Sequence, residues 1–244
     1  MLTARAQHEV EHGEKLAAEG AQAWWGWESA AGRLRASRRG ALIAAGAGLA
    51  PGARALEIGC GTGLFTEMFA ATGATIVAVD ISGALLDQAR RRDLPAERVS
   101  FLEMPFEDCD VHGPFDCVIG SSVLHHLEVE ASLRKIFALL RPGGVMSFAE
   151  PNMLNPQIMV QKNVPWIKDR LGDSPDETAF VRWSLRRLMS RCGYDDIAIT
   201  PFDWLHPQTP RPLIPFVRKG GRLLETLPIV REFAGSLYIR ARRP

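Results

Sequence analysis

Short apolar runs alternate along most of the chain with longer stretches of helical period. Seven runs read as strands: 54–58, 75–80, 99–103, 115–120, 145–149, 197–202 and 236–240. The run from Phe115 to Gly120 lacks polar alternation, as suits a strand covered on both faces. Between the strands, Phe65, Met68 and Phe69 mark one helical face, and Leu85, Leu86 and Ala89 mark another behind Ser82 as N-cap. Residues 131–140 read as an amphipathic helix stopped by Pro142-Gly143-Gly144. Strands separated by helices are the layout of a doubly wound α/β sheet with helices on both faces.

Outside this alternation the pattern changes. Residues 3–20 read as a polar helix whose large apolar residues are Val10 and Leu16. Its His8-Glu-Val-Glu-His12 matches the zinc-protease helix H-E-x-x-H. With no packing face and no third ligand nearby, it is expected to be a solvated surface. Trp24, Trp25 and Trp27 follow, then an arginine-rich turn over 31–39 and a helix over 41–49. Residues 151–178 form an apolar insertion after the fifth strand, carrying Trp166. Ser174, Pro175 and Glu177 there read as the capping box of a helix that ends near Gly193. A second insertion follows the sixth strand, with Asp203, His206 and a helix over 217–227.

Composition narrows the class. The 244 residues are 46% hydrophobic and 23% charged with a formal charge of +1, ordinary for a globular chain that buries a full core. That charge and the lack of any long basic stripe do not suit a nucleic-acid binder. Four scattered cysteines without a C-x-x-C pair read as reduced cytosolic thiols, and no metal is expected. The longest apolar run, 41–50, is too short for stable membrane insertion. The polar start is no signal peptide, so the expected compartment is the cytoplasm.

The candidate chemistry centres on Glu57-Ile-Gly59-Cys60-Gly61-Thr-Gly63. Glycines here permit tight turns and close ligand approach. The dinucleotide fingerprint G-x-G-x-x-G fails because Leu64 stands at its last position, and no P-loop Gly-Lys-Ser/Thr follows. Glu57 before the loop disfavours phosphate and tolerates a cationic ligand. Some twenty residues on, Asp80 ends an apolar strand, where a carboxylate can accept both hydroxyls of a ribose. A nucleoside with a cationic, phosphate-free tail fits the pair.

These motifs, with Val79-Asp80-Ile81-Ser82, Phe115-Asp-Cys-Val-Ile-Gly-Ser-Ser-Val-Leu-His-His-Leu127 and Leu140-Arg-Pro-Gly-Gly-Val145, resemble the ordered motifs of class I S-adenosylmethionine-dependent methyltransferases. In style they are nearest to the small-molecule enzymes of the ubiquinone/menaquinone type. The resemblance implies a Rossmann-like sheet of seven strands whose last strand is antiparallel, slotted between the fifth and sixth. It implies one methyltransferase domain over 1–244, with a helical cap over 1–50, a cofactor half over 51–150 and a substrate half over 151–244.

S-adenosylmethionine is the implied cofactor. Glu57, Gly59, Cys60, Gly61 and Gly63 would surround it, with Asp80 and Ile81 at the ribose. Pro105 stands where the family usually has an acid, so Glu107 or Asp108 would replace it, and Phe106 would stack on the base. Ser121 lies at the end of the fourth strand, Trp25 covers the site, and Arg38 is taken from the arginines of 33–39 to hold the carboxylate of the methionine moiety. The acceptor is expected to be a hydrophobic or amphipathic small molecule, with oxygen favoured over carbon or nitrogen, and the protein a monomer or homodimer. A hydroxyl acceptor benefits from a general base of near-neutral pKa. His125, His126 and His206 are the candidates, with His125 favoured over its neighbour and Asp203 pairing with His206. Glu150 and Asn152 would orient the acceptor, and Trp166 would line its pocket. The alternatives are a methyltransferase acting on RNA or protein, and a non-catalytic binding protein.

Overall fold

The computed structural model describes residues 3–170 and 177–244. The apolar runs become strands of one sheet, reached through three N-terminal helices: α1 (Ala4–Glu19), α2 (Ala21–Trp24) and α3 (Ala30–Ala47). Then follow β1 (Arg54–Ile58), α4 (Leu64–Ala70), β2 (Thr75–Asp80), α5 (Gly83–Arg90), β3 (Val99–Glu103), β4 (Phe115–Ser121), α6 (Val129–Leu139) and β5 (Leu140–Pro151). The remaining elements are α7 (Pro156–Asn163), α8 (Pro165–Arg170), α9 (Arg182–Arg191), β6 (Asp195–Phe202), α10 (Ile214–Leu224) and β7 (Ser236–Arg242).

The seven strands lie in the order β3-β2-β1-β4-β5-β7-β6, with β7 antiparallel to both neighbours. Alternate residues feed two cores. Leu56, Ile58, Val79 and Val118 face one side with Phe148 and Ile136, while Ala55, Ile76, Ala78 and Ile119 face the other with Ile43 and Phe69. Fully buried side chains of this size each stabilise the fold by about 1.5–3 kcal/mol. Strand order reverses beside β1, so the carboxyl ends of β1 and β4 diverge there and open a crevice.

Four local expectations are corrected. The arginine-rich stretch is not a turn: α3 runs from Ala30, capped by Ser29 accepting from Gly32 N, to the left-handed Gly48. Helix α1 does have a packing face, because Gly13 and Leu16 are buried and Leu16 packs with Ala21 and Leu85. Pro142-Gly143-Gly144 lies inside β5, in a register shift where Phe115 pairs with Leu140 and Cys117 with Val145. Ser174 and Pro175 of the expected capping box lie outside the described residues. Glu177 is not helical, and α9 begins only at Arg182 because Phe180 first bridges to Asn152.

Candidate active site

Above the carboxyl ends of β1 and β4 lies a cavity of about 620 Å³, within the range that holds a small molecule. The glycine loop forms its floor. Gly59, Gly61 and Gly63 all have left-handed backbones, with φ of 65°, 51° and 74°. A Cβ on Gly59 would come within 2.4 Å of Val123, so the loop and the end of β4 touch only because that side chain is missing. Asp80 ties this floor to the next helix. Its Oδ2 accepts from Gly61 N at 2.7 Å and its Oδ1 from Ser82 N at 2.9 Å. Burial raises its pKa, opposed by those amides. Each oxygen retains capacity for another hydrogen bond, and the residue lines the cavity.

Cys60, Ile81, Phe106, Glu107, Ser121 and Trp25 also lie on the wall, as expected. Trp25 leans over Gly61, and Gln22 Nε2 donates to Thr62 Oγ1 at 3.2 Å, so the α2 segment clamps the loop. Phe106 is not free to stack: its ring belongs to the core and Lys135 stands over it. Glu57 is 2% exposed beneath the loop and is absent from the wall. Burial pushes its carboxyl up to about 8, and the charge of Asp80 adds to the effect.

Arg38 is not at the site. It forms a bidentate pair with Glu225 on the outer face of α3. Its neighbour Arg39 lines the cavity instead, 3% exposed. Its guanidinium donates to Ser122 Oγ at 2.9 Å, Ser121 Oγ at 3.3 Å, Ala149 O at 3.0 Å and Ser236 Oγ at 2.6 Å. Trp27 and Phe202 flank it. Burial and the nearby Arg35 pull its pKa down to about 10. Among the described residues no carboxylate pairs with Arg39, which leaves a buried cation facing a cavity, suited to a ligand's carboxylate. A helical reading of 30–47 would have found it, because Ala36, Arg39, Gly40 and Ile43 share the buried face.

The two adjacent histidines both line the cavity but are held differently. His125 is buried with both ring nitrogens engaged: Nδ1 lies 2.6 Å from Glu150 Oε2 and Nε2 lies 3.2 Å from Glu177 Oε1. Burial alone would lower its pKa, but the two carboxylates outweigh it and raise the value to about 9. With both ring nitrogens held by carboxylates, it offers no free nitrogen for the expected role of base. Glu150 is a strut and not an acceptor contact. Its Oε1 takes the amides of Val123 and Leu124, and against the cost of burial His125 holds its pKa down. Glu177 also pairs with Lys162. The donor atoms of His125, His126 and Glu177 lie within 4.8 Å of one another, a spacing open to a cation, but Lys162 and protonated His125 already neutralise Glu177.

His126 lines the cavity in a more open position, 21% exposed, with Nδ1 3.0 Å from Glu9 Oε2. Glu9 belongs to the supposed zinc motif, so α1 contributes to the wall through Arg5, Glu9 and His12. Arg5 fastens this helix by donating to His126 O at 2.6 Å and to Glu128.

The remaining candidates stand elsewhere. His206 is exposed and closes a turn, its Nδ1 accepting from Gln208 N. Asp203 is held by Arg35 at 2.8 Å and does not meet His206 as a pair. Asn152 is 1% exposed and spends its amide on Glu232 O and Ala234 O. Trp166 is 65% exposed on α8. None of these four lies on the cavity wall. The insertion contributes Ile158, Gln161 and Lys162 in their place.

Comparison with known proteins adds four findings. Residues 56–146 match a family described as a methyltransferase domain. The chain is 38% identical over 103 residues to the demethylmenaquinone methyltransferase of Corynebacterium urealyticum, covering 42% of this chain and 43% of that protein. It is 34% identical over 157 residues to a ubiquinone biosynthesis O-methyltransferase of Bordetella bronchiseptica, covering 62% and 63%. The matches thus span less than two thirds of these relatives. In fold, a methyltransferase structure from Thermotoga maritima, described as a possible histamine N-methyltransferase, superposes with a TM-score of 0.69 at 15% identity, covering 97% of this chain and all of that one.

Proposed function

We propose that this chain, a class I S-adenosylmethionine-dependent methyltransferase by its ordered motifs, its methyltransferase domain over 56–146 and its sheet, methylates a hydrophobic or amphipathic small molecule, on oxygen. The observation that carries the reading is one cavity bounded by Asp80, the left-handed glycine loop and Arg39, which no carboxylate among the described residues pairs. Asp80 would take the ribose hydroxyls of S-adenosylmethionine and Arg39 its carboxylate. The bound cofactor supplies an electrophilic methyl on sulfur, open to one-step displacement.

The chain's own work is binding, orientation and proton transfer. Holding nucleophile and methyl in line supplies much of such a rate. His126 takes the proton of the acceptor hydroxyl, and the Glu9 carboxylate, 3.0 Å from Nδ1, offsets the positive charge that results. His125 positions: clamped between Glu150 and Glu177, it fixes the end of β4 to the end of β5 and to the last residues of the insertion. Ile158 and the tryptophans of 24–27 give the cavity apolar walls that exclude water. The O-methyltransferase name of the Bordetella relative supports an oxygen acceptor. In this reading residues 1–50 cap the site, 51–150 hold most of the cofactor, and 151–244 shape the acceptor side. The enzyme works in the cytoplasm as a monomer or homodimer, without nucleic acid. No described helix is long and apolar enough to cross a membrane.

Calorimetry with S-adenosylhomocysteine tests the site. Asp80→Ala and Arg39→Ala should each weaken binding by about 1.5–3 kcal/mol, the range for a charge-assisted hydrogen bond. Arg38→Ala should leave it unchanged. A folded Asp80→Ala protein with full affinity would sink the assignment. Turnover to S-adenosylhomocysteine with a panel of hydroxyarenes then tests the acceptor class.

A further inference from the structure

Half of the large hydrophobic side chains exposed among the described residues fall in one stretch. Leu213, Phe216, Leu223, Leu227, Ile229 and Phe233 belong to it, and Phe216 and Ile229 are 74% and 78% exposed. Scattered exposed apolar residues are ordinary, but a contiguous group marks a contact surface. Helix α10 organises the group. Its inner side seats Ile214 with Ala31 and Leu205 and brings Gly221 against Trp204, where a Cβ would come within 2.9 Å. Phe216, Gly220 and Leu223, spaced four and three apart, make an outward stripe that Leu227 and Ile229 extend beyond the helix.

Charge in this stretch is as uneven as polarity. The chain holds 29 basic and 28 acidic residues. Between Trp204 and Arg231 stand Arg211, Arg218, Lys219, Arg222 and Arg231 against the single acid Glu225. Glu225 is spent on Arg38. Arg211, Arg218, Lys219 and Arg222 are exposed, and none pairs with a carboxylate among the described residues. The remainder of the chain is net acidic, so this stretch is a local cationic field around an apolar stripe.

We infer that the α10 face is a docking surface for an anionic lipid membrane, with Phe216, Leu223 and Ile229 entering the headgroup layer and Arg218, Lys219 and Arg222 meeting lipid phosphates. An apolar face bordered by Lys and Arg is the pattern of a helix lying in a membrane interface. A second copy fits poorly, because a self-complementary contact would press the same unpaired cations together. A nucleic acid would satisfy the cations and leave most of the apolar stripe uncovered. The stretch returns to the sheet at Gly235 and Ser236, both on the cavity wall, so a docked face lies close in sequence to the site.

Sedimentation of the full chain with vesicles tests this without cofactor or acceptor, so its outcome is separate from that of the methyltransferase reading. The chain should pellet with phosphatidylcholine vesicles containing an equal part of phosphatidylglycerol, less with phosphatidylcholine alone, and less as salt rises. Lys219→Glu with Arg222→Glu should weaken binding about tenfold or more. Phe216→Ser with Leu223→Ser should abolish it, while both pairs keep their melting temperature and affinity for S-adenosylhomocysteine. A chain that stays in the supernatant with anionic vesicles overturns the inference. So does unchanged binding by the serine pair, or a solution dimer that the serine pair dissociates.

Discussion

At the end of β4 two adjacent rings, 4.2 Å apart, carry different duties. His125 offers no open nitrogen, because Glu150 and Glu177 occupy both. His126 faces the cavity with Glu9 beside it. Replacing His126 by alanine should cut kcat about a hundredfold or more at saturating cofactor, with cofactor affinity intact, as expected on losing a general base. His125→Ala should instead lower the melting temperature, because it leaves Glu150 as a buried charge without its partner. If His126→Ala keeps near-full activity, positioning alone drives the reaction and a carbon or amine acceptor becomes the better reading.

At the scale of elements, α1 covers the cavity and is held close by a missing side chain. Gly13 lies against Ser82, where a Cβ would fall 2.5 Å from Oγ, and Ser82 is also the N-cap of α5 beside Asp80. Gly13→Leu should lever α1 outward, separate Glu9 from His126 and speed hydrogen exchange over residues 4–27. Adding S-adenosylhomocysteine to the unaltered chain should slow exchange over 20–40, since Trp25 and Gln22 touch the loop. Exchange rates in the leucine variant equal to those of the unaltered chain would mean that α1 packs without closing anything.

Across the whole molecule, two buried groups tie stability to pH with the same sign. His125 has a folded pKa of about 9 against an ordinary 6.5, so its contribution is complete below 6.5 and is lost as pH rises through 9. Glu57 has a folded value of about 8 against 4.5. The unfolded chain releases that proton first, so stability falls from about pH 4.5 to 8 and no further on its account. Glu150 and Glu177, both depressed, act oppositely and cost stability as acid neutralises them. The melting temperature should therefore decline from pH 6.5 to 9. Glu57→Gln should flatten the decline below pH 8 and leave the decline above it. A wild-type melting temperature constant over that range, or a Glu57→Gln slope equal to wild type, contradicts these assignments.

Much of the frame was legible without coordinates. The bounds of β1, β2 and β3, the Ser82 cap, the Gly59-Gly61-Gly63 turn and the carboxylate at Asp80 follow from local patterns, because strand burial and left-handed turns impose residue types directly on neighbouring positions. The place of β7 came from the family resemblance and not from any local pattern. Which polar groups face the cavity, and which of those are already held by a partner, was not legible. Arg38 against Arg39, and His125 against His126, depend on one step around a helix or turn and on which distant carboxylate arrives: Glu225, Glu150, Glu177 or Glu9. Those partners come from up to 187 positions away in the chain, and Arg38 and Glu225 mark the longest span. Sequence spacing reports neighbours within an element, whereas ionisation and access depend on what packs across elements. The tertiary structure alone therefore turned His125 into a clamp, set Arg39 and not Arg38 on the cavity wall, and made the helix expected to be a solvated surface part of that wall.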